Sequence, residues 1–161
     1  GVSDRPGTLE VAGTEHPGNW SLISEGPLRF TVALTTLDDY FATHPVERVD
    51  AIKMDIEGVE PRAIQGGRAT IARHRPLIAF EANPSFLLRM GSGIDELLDL
   101  IESLDYRVYD QPTRRAGLLR PVHDRAELQA VDMTNLVAVP SERCRGAGAA
   151  EPLKIANLVR D

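Results

Sequence analysis

Three charged side chains alternate along one short segment of the sequence. Residues 49–60, VDAIKMDIEGVE, form an apolar run that ends in a turn at Gly58, and they place Lys53, Asp55 and Glu57 at every second position. Because side chains two apart in a β-strand point to the same side, the three charges share one face. Charges on an apolar strand are costly without partners, so we expect this face to line a ligand cleft. Lys53 either pairs with a carboxylate or extends to solvent.

The elements around this segment predict how its charges are positioned. Residues 49–56 are typical of a buried strand, and the helical stretch after them has Pro61 in its first turn and a break at Gly66 and Gly67. A second apolar run follows in residues 77–83. Strand–helix–strand units of this kind have parallel strands, so both carboxyl ends lie at the same edge of the sheet. Four polar residues are therefore expected to converge there: Asp55, Glu57, Glu81 and Asn83.

The N-terminal part of the chain favours two short strands and a helix. The strands are predicted at residues 8–12 and 28–34, where apolar residues alternate or cluster, and a polar loop separates them at residues 13–26. Thr36, followed three positions later by Asp39, predicts the start of a short helix.

The C-terminal part favours one strong helix and two strands. Apolar residues recur at intervals of three and four in residues 94–104, and Ser92 is the predicted N-cap of that helix. Strands are predicted at residues 106–109 and 135–139; because their connection carries little regular helix, we expect them to be antiparallel neighbours. Residues 141–161 are predicted to be a mobile tail, rich in glycine and alanine.

Composition limits the classes of protein that fit. The chain has 161 residues, enough for one domain with a sizeable core, and 42% of them are hydrophobic. A net charge of −6 gives no general attraction for nucleic acid or for an anionic membrane, and we expect neither partner. The single cysteine, Cys144, excludes an internal disulfide, and no apolar run is long enough to cross a bilayer, so we expect a cytoplasmic protein.

Several of these segments together resemble the C-terminal two thirds of an FkbM-type methyltransferase domain. The resemblance covers residues 1–140. It rests on GVSDRPG at the start, TTLDDYF at residues 35–41, the segment of Asp55, RPLIAFEAN at residues 75–83 and NLVAVP at residues 135–140. It implies an α/β fold, a partial class I, Rossmann-like methyltransferase sandwich with a mostly parallel sheet and a C-terminal antiparallel hairpin. The implied activity is methyl transfer from S-adenosylmethionine to a hydroxyl oxygen of a small molecule or a glycosyl group.

Residue roles follow from this resemblance. Transfer to oxygen requires an aligned hydroxyl whose proton is removed, so Asp55 is the expected base, with Glu57 and Lys53 as further catalytic residues. Ser3 and Asp4, together with Asp55, are the expected cofactor-binding residues. The expected substrate-binding residues are His16, Asn19, Glu81 and Asn83.

Each of these roles has a structural alternative. Asp55 and Glu57 could instead interact with the first turn of the next helix, and Ser3 and Asp4 could form a turn before Pro6. The carboxylates and the amide expected at the sheet edge could also bind a divalent cation. Such groups often meet by chance, and we predict no metal site.

The sequence also departs from the family pattern. In the family, a Gly-rich turn after the first strand and an acidic residue closing the second hold the methionine and ribose parts of the cofactor, and neither occurs in these 161 residues. We therefore expect an incomplete domain that requires an N-terminal portion or a homodimer. The strand of Asp55 would then be an unpaired edge. The alternative is a non-catalytic module that binds a partner through that edge. A third alternative is a different nucleotide-binding α/β domain. It is the weakest of the three, because it would require the same Gly-rich turn that the sequence lacks.

Overall fold

The fold comes from a computed structural model, which describes residues 1–13, 27–110, 117–144, 151–155 and 158. The strands in this part of the chain are β1 Gly7–Gly13, β2 Leu28–Leu34, β3 Ala51–Met54, β4 Leu77–Ala82, β5 Tyr106–Asp110, β6 Leu118–Pro121, β7 Thr134–Pro140 and β8 Leu153–Lys154. The α-helices are α1 Leu37–Thr43, α2 Glu60–Gln65, α3 Arg68–His74, α4 Pro84–Arg89, α5 Ile94–Ser103 and α6 Arg125–Gln129, and a 3₁₀ helix spans Ser141–Cys144.

Six strands form one mixed sheet in the order β3-β4-β7-β5-β6-β8. The pair β3–β4 is parallel, as predicted, with Met54 beside Phe80. The predicted antiparallel pairing of the last two large strands is also confirmed, because β5 pairs with β7 over Tyr106 to Asp110. The prediction of a mostly parallel sheet is wrong for the described residues. Strand β7 lies between β4 and β5 and runs against both, and β6 and β8 add further antiparallel pairs.

Strands β1 and β2 form a separate antiparallel hairpin. Their register places Leu9 beside Val32 and Val11 beside Phe30. These four side chains are half-buried, whereas the alternate positions in both strands are mostly exposed. The alternation that predicted the strands therefore gives the hairpin one apolar face, which is available to line a cavity.

Helix boundaries follow local sequence signals in most places. Thr36 accepts a hydrogen bond from Asp39 N at the start of α1, which confirms the predicted cap. The predicted break at Gly66 and Gly67 separates α2 from α3. The cap of α5 is a correction: Gly93 is its N-cap, and the Ser92 hydroxyl instead donates to Glu96 Oε2 at 2.8 Å. No helix in the described ranges is long and apolar enough to span a membrane.

The core lies between the sheet and helices α2, α3 and α5. Fully buried side chains from these helices, including Ile64, Ile71 and Leu97, belong to one cluster with Ile78 and Phe80 of β4. The 3.6-residue period of α5 is what allows its apolar side to face this cluster. The packing fixes α2 beneath β3, so the loop between them has a defined position.

Residues 141–161 were predicted to be a mobile tail, but those of them that the structure describes pack against the sheet. Leu153 and Lys154 form β8 and pair with β6. Cys144, Leu153 and Leu158 are buried in a second apolar cluster with Tyr109 and other side chains of the sheet. Scattered apolar residues in a glycine-rich stretch carry no periodic signal, so this packing could not be predicted from the sequence.

Candidate functional site

The loop after β3 carries the charged residues that the sequence singles out. It runs from Asp55 to Val59, before α2 begins at Glu60. Glu57 and Gly58 both have left-handed backbone conformations, with φ values of 56° and 95°. A Cβ atom on Gly58 would lie 2.5 Å from the carbonyl carbon and oxygen of Phe86, so glycine is required there for two reasons. This tight turn directs the loop back toward α2.

A cavity of about 360 Å³ lies between this loop, the N-terminal residues and the hairpin. Apolar side chains from the inner face of β1 and β2 form much of its wall, namely Leu9, Val11, Val32 and Leu34. Its polar lining residues are Ser3, Asp55, Glu57 and Arg62. The cavity is therefore an apolar space with two carboxylates, a hydroxyl and a guanidinium at its margin, which is typical of a small-molecule site.

The structure brings together only some of the predicted site residues. Ser3, Asp55 and Glu57 line the cavity, although Ser3 lies more than fifty positions from the other two in the chain. Four others are described but are not among its lining residues: Asp4, Lys53, Glu81 and Asn83. The predicted substrate residues His16 and Asn19 lie outside the described residues.

Lys53 and Asp55 form a long, exposed ion pair. Lys53 Nζ lies 3.9 Å from Asp55 Oδ2, and the two side chains are 53% and 63% exposed. The ammonium also donates to Met54 O at 3.1 Å. An exposed pair of this kind contributes little to stability. Asp55 is not the N-cap of α2, because that position is Val59. Its carboxylate is consequently free to contact a ligand.

The parallel register of β3 and β4 places Glu81 beside Asp55. Met54 pairs with Phe80, and each carboxylate follows in its own strand. The pKa of Glu81 is raised from its ordinary value, first by burial and then by the negative charge of Asp55, with a smaller opposing effect from Lys53 and a further increase from Glu57. The predicted convergence of carboxylates at this sheet edge is thus observed. No group of three or more metal-binding side chains occurs in the described ranges.

Asn83 and Asp4 make local structural contacts. Asn83 is the N-cap of α4, where its Oδ1 accepts a hydrogen bond from Phe86 N at 3.1 Å. Asp4 accepts a hydrogen bond from the Ser3 hydroxyl at 2.9 Å. Ser3 itself is buried, and its backbone N–H donates to Thr35 O. The ligand roles of Asn83 and Asp4 stay predictions.

Glu60 is a buried acidic residue next to the Asp55–Val59 loop that sequence reasoning missed. It is 1% exposed at the first position of α2, and its Oε1 accepts a hydrogen bond from Ile56 N at 3.2 Å. Burial raises its pKa, and hydrogen bonds from nearby backbone N–H groups only partly oppose this. The available signal was an acidic residue directly before Pro61 on a helix that faces the core. Arg62 and the hairpin face were also missed.

The fold is that of a mixed α/β protein, with a cavity lined by two carboxylates at the carboxyl end of a parallel strand pair. The family model for the methyltransferase FkbM domain matches residues 4–108. Because this match covers well over half of the sequence, the chain belongs to the FkbM methyltransferase domain family.

A search of solved structures finds the crystal structure of methyltransferase FkbM from Methylobacillus flagellatus KT. The two chains share 22% sequence identity with a TM-score of 0.41, and the match covers 86% of this chain and 26% of the other. The present chain thus corresponds to about a quarter of that protein's length. No curated protein matches the sequence.

Proposed function

We propose that this chain contributes the transfer site of an S-adenosylmethionine-dependent O-methyltransferase, whose acceptor is a hydroxyl of a small molecule or glycosyl group. The observation that carries the proposal is the cavity of about 360 Å³ at the end of β3, which joins Asp55 and Glu57 to an apolar wall. Membership of the FkbM methyltransferase domain family supports methyl transfer as the reaction class. Location in the cytoplasm stays a prediction from composition.

The charges at this edge suit a cationic ligand. Asp55 and Glu57 line the cavity, and Glu81 lies beside Asp55 in the next strand. The pKa of Glu81 is raised first by burial and then by the charges of Asp55 and Glu57, and Lys53 opposes these charges in part. A sulfonium or an ammonium group would reduce the mutual repulsion of these carboxylates, so binding of a cation is favoured here.

The residues present fit one part of S-adenosylmethionine. The apolar wall and carboxylates complement its ring system and positive charge, and the cavity volume lies within the range of ~300–1,000 Å³ common for small-molecule sites. Asp55, Glu57 and Ser3 are the residues that would hold it. The Gly-rich turn that holds the methionine part in this family is absent from the sequence. When bound, the cofactor supplies a methyl group on a sulfonium that an acceptor oxygen can take.

Asp55 is the residue we assign as general base. Its carboxylate is 63% exposed and does not cap the following helix, so an acceptor hydroxyl can reach it. Asp55 Oδ would accept the proton of an acceptor hydroxyl whose oxygen takes the methyl group. Lys53, 3.9 Å from Oδ2, balances the carboxylate charge before the transfer. Glu57 lines the same cavity and would add a second carboxylate near the bound cofactor.

Calorimetric titration of S-adenosylmethionine into the chain tests this proposal. We expect wild-type binding, with the absent part of the cofactor site supplied by a second copy of the chain, and about tenfold weaker binding by Asp55→Asn, because the variant removes one attractive charge from the cavity. Asp50→Asn is the matched control: Asp50 precedes the same strand, its side chain is 57% exposed, and its partner is Arg48. Binding by this control should stay within about twofold of wild type. Absence of wild-type binding, or equal losses in both variants, would contradict the proposal.

Methyl transfer itself can be followed with cofactor labelled in the methyl group. The wild-type chain should transfer label to hydroxylated acceptors, including simple glycosides. Asp55→Asn should transfer label to the same acceptors far more slowly. A general base contributes ~10²–10⁴-fold to a rate, so the loss should be far larger than the change in cofactor affinity.

A further inference from the structure

The loop that holds Asp55 and Glu57 has an unfavourable backbone conformation. Glu57 has a φ of 56° and Gly58 a φ of 95°, and left-handed conformations are uncommon for a residue such as glutamate. The backbone bond within the loop is long, with Val59 N 3.5 Å from Ile56 O. This bond lies at the limit of hydrogen-bond length, so it holds the loop only weakly.

Glu60 supplies a second contact from inside the protein. Its side chain is 1% exposed, and Oε1 accepts the hydrogen bond from Ile56 N at 3.2 Å. The donor belongs to the residue between Asp55 and Glu57, so the bond reaches the centre of the loop. Its other oxygen, Oε2, is buried and has no hydrogen-bond partner among the described residues. A buried carboxyl group with only one oxygen satisfied is costly, which indicates that stability alone does not account for it.

We propose that Glu60 is a positioning residue that fixes the Asp55–Val59 loop through Ile56 N, and so brings Asp55 and Glu57 to the same cavity. The expected effect of Glu60 on cofactor binding rests on the proposed function. The contact between Glu60 and Ile56 N can be tested without it. Burial raises the pKa of Glu60, and the hydrogen bonds that it accepts from backbone N–H groups, including that of Ile56, act in the opposite direction.

Amide hydrogen exchange, measured by NMR, tests the contact directly. Ile56 N has Glu60 as its acceptor, whereas Ala63 N in α2 donates to Val59 O. In Glu60→Asp the carboxylate is kept but is one methylene too short to reach. We expect Ile56 N–H to exchange at least about tenfold faster in that variant, while Ala63 stays within about threefold. A merely structural role would accelerate both amides together.

Glu60→Gln is the matched control, because its amide oxygen can still accept from Ile56 N and its size is nearly unchanged. We expect Ile56 exchange in this variant to stay within about threefold of wild type. An unprotected Ile56 amide in the wild-type chain would overturn the proposal, and so would unchanged protection in Glu60→Asp. Loss of protection in Glu60→Gln alone would also overturn it.

Cofactor titration of the same variants separates this proposal from the proposed function. If the loop positions Asp55, Glu60→Asp should bind S-adenosylmethionine about as weakly as Asp55→Asn, and Glu60→Gln should bind almost as wild type does. Wild-type affinity in Glu60→Asp, despite an exposed Ile56 amide, would overturn the link between loop shape and the site. If the wild-type chain binds no cofactor, the proposed function fails, while hydrogen exchange still decides whether Glu60 holds the loop.

Discussion

Arg75 and Glu142 form a two-point ion pair across 67 positions of the chain. Arg75 Nε donates to Glu142 Oε1 at 3.0 Å, and Nη2 donates to Oε2 at 2.7 Å. Arg75 also donates to Leu104 O and lies 4.6 Å above the ring centroid of Tyr106. The pair joins the end of α3 to the 3₁₀ helix after β7, so it ties the C-terminal residues to the helical layer.

This pair predicts an acid-dependent loss of stability. The hydrogen bonds from Arg75 lower the pKa of Glu142 from 4.5 to about 2. Because the folded pKa is the lower one, the stabilisation is present above pH 4.5 and is lost as the pH falls toward 2. Glu142→Gln should cost about 1 kcal/mol at pH 7, since both partners are partly exposed, and almost nothing near pH 2. Urea unfolding at several pH values measures this difference. Glu127→Gln, at an exposed position of α6, should show no such trend.

Gly58→Ala should destabilise the protein strongly. The backbone has a φ of 95°, and the added Cβ would lie 2.5 Å from backbone atoms of Phe86, so the chain must shift to accommodate it. We expect a cost of about 3 kcal/mol or more. Gly91→Ala is the matched control, because Gly91 has a φ of 81° with nothing within 4 Å of the added atom, and should cost only about 1 kcal/mol. Equal losses in thermal or urea unfolding would contradict the contact with Phe86.

Asp38 stabilises the start of α3 from another helix. Its carboxylate accepts hydrogen bonds from Thr70 N at 2.7 Å and from Ala69 N at 3.0 Å, while Gly67, the N-cap, provides no side chain. Asp38→Ala should therefore cost about 1 kcal/mol in urea unfolding, as loss of an ordinary N-cap does. Asp39→Ala changes the exposed neighbour and should cost only about 0.3 kcal/mol. A larger effect at position 39 would show that charge near α1 matters more than the contact with α3.

The pKa of Glu81 should respond in opposite directions to two substitutions. Asp55→Asn removes a negative charge that raises this pKa, so the pKa should fall; Lys53→Met removes a positive charge that lowers it, so the pKa should rise. Titration of the Glu81 carboxyl carbon by NMR measures both shifts. Asp50→Asn, at the other end of the strand, should leave the value unchanged. Shifts of the same sign in Lys53→Met and Asp55→Asn would mean that burial has changed instead.

The sequence could predict that Asp55 and Glu57 lie at the end of β3 because the signals for this are local. Alternation in residues 49–60 places the charges of Asp55 and Glu57 at a strand end, and the strand–helix–strand pattern fixes the edge to which they belong. The predicted cap of α5 was wrong for an equally local reason. Gly93 adopts the extended backbone of an N-cap, with φ of −149° and ψ of 170°, and the Ser92 hydroxyl bonds to Glu96 instead. The residue types alone do not show whether Ser92 or Gly93 is the N-cap.

By itself, the sequence determined the family resemblance, the order of most strands and helices, and the carboxylates at the end of β3. These depend on side-chain period and turn residues within a few positions. Only the tertiary structure decided that β7 enters between β4 and β5, that Glu60 is buried beneath the site, and that Ser3 joins Asp55 and Glu57 at a cavity walled by the hairpin. The reason is physical: burial and proximity arise from packing between segments far apart in the chain, which no local period records.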